Sequence, residues 1–285
     1  MILPAEIAAG KGGCAMALLK INFESQYLNN NHEVYIVLPN KPPKETPAEF
    51  YRSGKKYKVL WLLHGTFGDQ TDWIRRTNIE LYAEEKNLAV VMPPALNSNY
   101  SNWDDTMLGF RMYDYLTEEL MPLVYGWLPV SDKREDNFIA GLSMGGRGTI
   151  KYAVNHPDRF AAAAVLSAAP VDFEDLRPGH PFALMDTESP RMQNVLRNAG
   201  GLEAFKASEE NVWAIIDRLA PTGKLPRLMF ACGEDDQLIY GNLQAFRKHC
   251  EAIGLDAHWF TLPGYAHEWR FWDLAIQEAL KFFGV

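Results

Sequence analysis

The most informative stretch of the chain is FIAGLSMGG, residues 138–146. Three apolar residues lead into a Gly-x-Ser-x-Gly element centred on Ser143, and a helical pattern follows over residues 145–155. This context is typical of a tight strand-to-helix turn that exposes the serine hydroxyl group, so we predict a nucleophile at Ser143. A glycine-rich turn with an incidental serine is the alternative. A phosphate loop is excluded, because Arg147 and Gly148 stand where Lys and Ser/Thr are required.

Outward from this stretch, apolar strand patterns alternate with helical patterns. The alternation predicts an α/β fold, with a mainly parallel sheet covered by helices on both faces and an antiparallel pair at its start. Residues 41–56 are polar and predict a surface loop. The predicted strands are 18–23, 34–38, 57–63, 88–92, 137–142, 161–166, 227–231 and 258–262, and the predicted helices are 78–86, 108–127, 145–155, 242–253 and 271–283.

The segment between the strands ending near residue 167 and starting at residue 227 is too long for a simple crossover. We interpret residues 168–226 as a small cap insert over the carboxyl edge of the sheet, with its clearest helix over 202–219. The prediction is one domain over 16–285. Residues 1–15 predict a flexible N-terminal extension.

Composition excludes several function classes. The 285 residues carry 28 Lys+Arg against 36 Asp+Glu, a net charge of −8, and show no basic stripe for nucleic acid. The longest apolar runs, 59–63 and 160–165, are far too short to cross a membrane. Three distant cysteines (Cys14, Cys232 and Cys250) form no disulfide framework and favour a reducing, cytoplasmic location.

A serine nucleophile needs a general base and an acid that orients it. His267 lies just past the last predicted strand, where enzymes of this architecture carry their sites, and is the predicted base. The acid is expected between serine and histidine in the chain. Three consecutive carboxylates, Glu234, Asp235 and Asp236, directly follow a strand, and spacing does not choose among them; Asp172 is an outside candidate.

The remaining parts of such a site are an oxyanion hole and a substrate pocket. The segment HGTFGD, residues 64–69, follows the central strand, so the amides of Thr66 and Met144 are the predicted oxyanion donors. His64 itself is interpreted as a packed structural histidine. Four aromatic residues are candidates for lining the pocket, with packing in the core as the alternative: Phe67, Trp103, Phe110 and Trp269.

These motifs resemble the putative esterase family of α/β hydrolases. The resemblance rests on LLHG at 62–65, GLSMGG at 141–146, the CGEDD segment at 232–236, and the run from Gly264 through His267 to the WRFWD residues at 269–273. That family includes esterase D (S-formylglutathione hydrolase), bacterial tributyrin-type esterases, and feruloyl and acetylxylan esterases. Thr66-Phe67-Gly68 stands where S-formylglutathione hydrolases carry a cysteine-containing loop, so the chain is most similar to the bacterial short-acyl branch.

The resemblance implies an α/β-hydrolase fold and a triad of Ser143, His267 and Asp236, since the family's acid is the third residue after the glycine. It implies no metal or cofactor, and often a dimer or tetramer. We expect a serine carboxylesterase that cleaves short-chain acyl (acetyl-type) or hydroxycinnamoyl esters of small molecules through an acyl-enzyme. The alternatives are a thioesterase of the S-formylglutathione hydrolase type and a catalytically silent binding protein.

Overall fold

One eight-stranded sheet organises the structure, a computed structural model that describes residues 16–41, 44–104 and 109–285. The predicted extension 1–15 lies outside the described residues. Two further strands, each of two residues, pair with one another beside the main sheet. In chain order the strands are β1 (Met16–Ser25), β2 (Asn30–Pro39), β3 (Lys58–Leu63), β4 (Leu88–Met92), β5 (Asn102–Trp103), β6 (Phe110–Arg111), β7 (Asn137–Leu142), β8 (Ala162–Leu166), β9 (Arg227–Gly233) and β10 (His258–Leu262).

The main sheet has the order β1-β2-β4-β3-β7-β8-β9-β10. The strands β1 and β2 are antiparallel to each other, β2 is antiparallel to β4, and all later neighbours are parallel. The predicted α/β architecture and its antiparallel start are therefore confirmed. Because parallel strands end at the same edge, the loops after β3, β7, β8, β9 and β10 meet there.

The helices cover both faces of the sheet. A π-helical segment, residues 115–120, connects two of the helices given below, α4 and α5. The helix predicted over 108–127 is therefore continuous from residue 112 onward. Its first predicted residue, 108, lies outside the described residues. The helices are α1 (Pro47–Arg52), α2 (Asp72–Arg76), α3 (Ile79–Lys86), α4 (Met112–Asp114), α5 (Met121–Trp127), α6 (Met144–Asn155), α7 (Pro190–Asn198), α8 (Leu202–Ala207), α9 (Val212–Leu219), α10 (Tyr240–Ile253) and α11 (Trp269–Phe283).

Three predicted elements were wrong in detail. Residues 110–111, predicted to belong to the helix 108–127, form the strand β6. The loop predicted over 41–56 contains α1, which begins at a capping box in which Thr46 and Glu49 bond each other's backbone amides. The helix predicted over 202–219 is two helices, because the chain turns between Ser208 and Asn211, and the Asn211 side chain then caps α9 by accepting from the amide of Ala214.

Apolar side chains pack in three clusters. Two large ones fill the opposite faces of the sheet, and a third, smaller one lies within the insert between β8 and β9. This insert cluster consists of Phe173, Leu176, Met185, Met192 and Phe205. Among the described residues, no helix has the length and apolar character needed to span a membrane. The domain bounds and the cap interpretation stay predictions.

Candidate active site

Ser143 occupies a strained turn between β7 and α6. Its backbone has φ 53° and ψ −114°, in the left-handed half of dihedral space that residues other than glycine rarely adopt. The Ser143 amide donates to the carbonyl oxygen of Leu166 at the end of β8, at 2.8 Å, which holds the turn against the neighbouring strand. The serine hydroxyl group is thereby presented at the carboxyl edge of the sheet.

The flanking glycines are required by close backbone contacts. A Cβ atom on Gly145 would lie 2.5 Å from the carbonyl oxygen of Leu63 and 2.6 Å from that of His64. A Cβ atom on Gly141 would lie 2.6 Å from the backbone of Gly145. The Gly-x-Ser-x-Gly spacing therefore lets α6 start directly against the end of β3.

The three side chains predicted to form a triad lie in hydrogen-bond contact. Nδ1 of His267 lies 2.7 Å from Oδ2 of Asp236, and Nε2 of His267 lies 2.9 Å from Oγ of Ser143. Because an ionised carboxylate only accepts hydrogen bonds, we assign the imidazole proton to Nδ1. The lone pair of Nε2 then faces the Ser143 hydroxyl group, which is the arrangement needed to remove its proton.

Asp236 is the member of the acidic run that meets His267. Its side chain is fully buried, and its second oxygen, Oδ1, accepts from the amides of Leu238 at 3.0 Å and Ile239 at 3.2 Å. Burial works to raise the pKa of Asp236, but its contact with His267 and these two amides outweigh burial and hold the pKa below its ordinary value. Asp235 next to it is exposed.

The loop after β3 packs directly against the serine. A Cβ atom on Gly65 would lie 2.5 Å from Cδ1 of Leu142 and 3.5 Å from Cβ of Ser143, so a side chain here would have to displace Leu142 next to the serine. The next residue, Thr66, lines the same cavity as Ser143. Met144 is the first residue of α6, and its amide is therefore among those that a helix leaves without an internal acceptor. Thr66 thus shares the cavity with Ser143, and Met144 follows Ser143 directly in the chain; the role of their amides as oxyanion donors stays a prediction.

His64 holds this loop in place and is no second base. Its Nε2 accepts from the amide of Ala95 at 2.8 Å, and its Nδ1 lies 2.8 Å from the carbonyl oxygen of Gly65. Burial lowers the pKa of His64, which favours the neutral ring that this pair of contacts requires.

A cavity of about 890 Å³ opens at Ser143 and His267. Of the four aromatic candidates, Trp103 lines it. The structure places the other three elsewhere: Phe67 is on the surface, 92% exposed, while Phe110 and Trp269 pack among core side chains. An aromatic residue near a motif in sequence is more often drawn into the core, where its large apolar area is buried.

Several cavity residues are missed by sequence reasoning. Arg147 lies one helical turn after Ser143, and the i, i+4 spacing on α6 could have revealed it. Asn99 and Arg191 come from distant segments, and no local signal marks them. Ser167, after β8, has φ 46° and accepts a hydrogen bond from Nε1 of Trp272, whose ring packs edge-on against His267.

Known proteins are similar to this chain in sequence and in fold. The model of the putative esterase family matches residues 25–283. An acetyl esterase of Caldicellulosiruptor saccharolyticus is 28% identical over 277 residues, covering 93% of this chain and 97% of that protein. Among solved structures, FphF, a fluorophosphonate-binding serine hydrolase of Staphylococcus aureus, is 30% identical with a TM-score of 0.75, covering 94% of this chain and 98% of its own.

A second solved structure, an S-formylglutathione hydrolase (FrmB) of Staphylococcus aureus, is 32% identical with a TM-score of 0.76, covering 94% of this chain and 99% of its own. The family match spans nearly the whole chain. The similarity to the two solved structures extends over nearly the full length of each of those proteins. The chain belongs to the putative esterase family, with the α/β-hydrolase fold, and is a carboxylic ester hydrolase.

Proposed function

We propose that this protein is a serine esterase that cleaves short-chain acyl esters through a covalent acyl-enzyme. The observation that carries the proposal is the unbroken chain of contacts from Asp236 through His267 to Ser143, at 2.7 and 2.9 Å. The same chain of contacts argues against a silent binding protein, since a protein without catalysis has no need to hold it. Burial of Asp236 keeps water from competing for His267.

In the proposed reaction, Nε2 of His267 takes the Ser143 proton as Oγ attacks the ester carbonyl carbon. The carbonyl oxygen becomes an oxyanion, which the amides of Thr66 and Met144 stabilise. His267 then gives its proton to the leaving alcohol, and the acyl group stays on Ser143. Water, deprotonated by His267, attacks the acyl carbon. The bond from that carbon to Oγ of Ser143 then breaks, the carboxylic acid leaves, and His267 returns the proton to Ser143. Asp236 holds the imidazole in the reactive tautomer and stabilises its charged form.

The proposed substrates are acetyl-type esters, with hydroxycinnamoyl esters as a larger class that a cavity of about 890 Å³ accommodates. Similarity to a protein named acetyl esterase supports the first class. Thioesters are the second candidate, favoured by the 32% identity to an S-formylglutathione hydrolase. We also propose a cytoplasmic location, which suits the free and buried Cys232 and Cys250, and a homo-oligomer.

Replacing Ser143 by alanine tests the proposal. We expect Ser143→Ala to lower kcat for p-nitrophenyl acetate by about 10⁴-fold or more and to abolish fluorophosphonate labelling, because the nucleophile is gone. Ser53→Ala, at the end of α1, is the matched control and should retain both. Circular dichroism checks that each variant is folded. A folded Ser143→Ala protein with more than a tenth of the original turnover would refute the assignment.

A further inference from the structure

Two arginines meet beside the serine, at the side chain of Asn99. Oδ1 of Asn99 accepts from Arg191 at 2.6 Å and from Arg147 at 3.3 Å. Arg147 lies on α6 one turn after Ser143, and Arg191 lies at the start of α7, in the insert. Both side chains line the cavity that contains Ser143. Two cationic groups from different parts of the fold are therefore directed to one point near the reacting atoms.

Among the described residues, neither guanidinium group has an acidic partner. Within residues 16–41, 44–104 and 109–285, no carboxylate oxygen lies within 4.0 Å of a side-chain nitrogen of Arg147 or Arg191. Nε of Arg147 is buried and has no hydrogen-bond partner. The nearby Glu210 is already engaged, since it accepts from Lys151 at 2.6 Å and from Ser101 at 2.6 Å. The positive charge of these two guanidinium groups is therefore available to bind an anionic group of a ligand.

The electrostatics of Arg147 agree with this geometry. Burial is the main cause that lowers its pKa, to about 10, and the positive charge of Arg191 lowers it further, while Glu210 acts in the opposite direction. The group is still charged at neutral pH. A bound oxyanion would offset both the lost hydration and the repulsion between the two arginines.

The loop that carries Asn99 is fixed in advance. Asn99 and Tyr100 both have positive φ, 57° and 54°, which a chain retains only where its surroundings hold it. Tyr100 is fully buried and donates from its hydroxyl group to the carbonyl oxygen of His64 at 3.0 Å. The oxygen between the two arginines is therefore tied to the same loop that leads to Thr66.

From these contacts we propose that Arg147 and Arg191 form a subsite for an oxyanion, and that the preferred substrate is an ester whose acyl or alcohol part ends in a carboxylate. The inference rests on the proposed function, because it concerns which ester reaches Ser143. A guanidinium group offers a planar pair of donors to a carboxylate, and two of them give both charge and orientation. Ser143 and Arg147 lie one helical turn apart, about 6 Å along the axis, and line the same cavity, so one ester molecule can reach both residues.

The test compares charged and neutral esters of matched shape. For the acyl side, the pair is mono-p-nitrophenyl adipate and p-nitrophenyl hexanoate. For the alcohol side, the pair is 4-acetoxybenzoate and 4-acetoxybenzamide. The measured quantity is the charged-to-neutral ratio of kcat/KM within each pair. We expect this ratio to exceed one in the unmodified protein for one pair, and to fall about tenfold or more in Arg147→Met and in Arg191→Met.

Arg247→Met is the matched control, because Arg247 lies on the surface of α10 and pairs with Glu251. It should leave both ratios unchanged. The pair whose ratio falls identifies the part of the ester that carries the charge. Charged-to-neutral ratios of kcat/KM that stay within twofold of those of the unmodified protein in both arginine variants would overturn the subsite. If Arg147→Met does not fold, Arg191→Met alone provides the test, because Arg191 is exposed. Failure of the proposed function is separate, since it requires Ser143→Ala to retain turnover.

Discussion

The Asp236 carboxylate is fully buried but surrounded by groups that favour its ionised form. The sequence left three consecutive acids open, and only the family resemblance selected Asp236, because the spacing of a loop does not reveal which side chain turns inward. In the structure, the amides of Leu238 and Ile239, which follow Asp236 in the chain, donate hydrogen bonds to the second oxygen of the buried carboxylate. Ser143 and His267, in contrast, are marked by the turn motif and by strand order alone.

Replacing Asp236 by asparagine should lower kcat/KM by about 10³–10⁴-fold, because the amide no longer holds the reactive tautomer of His267.

The same substitution should also change how the free energy of unfolding depends on pH. The folded pKa of Asp236 is lowered, so its contribution to the free energy of unfolding is present above the ordinary value of 3.8 and is lost as pH falls through the folded value. Urea unfolding over an acid pH series should therefore show a smaller loss in Asp236→Asn.

Asp235→Asn is the control for both measurements, because this neighbouring carboxylate is exposed. It should change neither kcat/KM nor the pH dependence of unfolding by more than a small amount. Equal effects of the two substitutions would contradict the assignment of Asp236.

The differences between buried strands and short helices explain which secondary-structure predictions succeeded. The strands β7 and β8 are buried from end to end, and β3 is buried after its first residue, Lys58; unbroken apolar runs such as residues 59–63 reveal them directly. The short helix α1 and the break between α8 and α9 are harder to find, because helices of six residues hold less than two turns of apolar periodicity. A capping box begins α1, and a capping box is a weaker signal in sequence than a hydrophobic pattern.

The start of α6 gives a prediction at this scale. Gly145→Ala should reduce the free energy of unfolding by about 1–3 kcal/mol, since the new methyl group meets the carbonyl oxygens of Leu63 and His64. Activity should fall too, because the displaced loop carries Thr66. Chemical denaturation and kcat for p-nitrophenyl acetate provide the measurements.

The same change in α10 is the matched control. A Cβ atom on Gly241 would meet nothing within 4 Å, so Gly241→Ala should be neutral or stabilise by about 0.5–1 kcal/mol through helix propensity. If Gly145→Ala were as well tolerated as Gly241→Ala, the close packing of α6 against β3 would be wrong.

At the scale of the whole molecule, a buried ion pair joins the insert between β8 and β9 to helix α6, which packs on the main sheet. Nζ of Lys151, on α6, is 2% exposed and donates to Glu210, which lies between α8 and α9, at 2.6 Å. It also donates to Oγ of Ser101 at 2.9 Å. Contacts of this kind join segments about fifty residues apart or more, which is why the pocket could not be predicted from local patterns.

Glu210→Gln should lower the free energy of unfolding by about 1.5–3 kcal/mol, because Lys151 would keep its buried charge without a counter-ion. Glu251→Gln, which removes an exposed pair with Arg247, is the control and should cost less than about 0.5 kcal/mol. Urea denaturation at neutral pH measures both. Similar losses in the two variants would mean that the Lys151 pair does not fasten the insert.

The backbone conformation described for Ser143 has a consequence for how this enzyme can be improved. Each positive-φ residue other than glycine costs about 1–3 kcal/mol, and three of the eight among the described residues line the cavity, so part of the protein's thermal stability is given up at the site itself. Directed evolution for heat resistance should accordingly settle on distant turns, at Asn29 and Asn87, and leave the strained set intact. That set, which lines the cavity, comprises Asn99, Ser143 and Ser167.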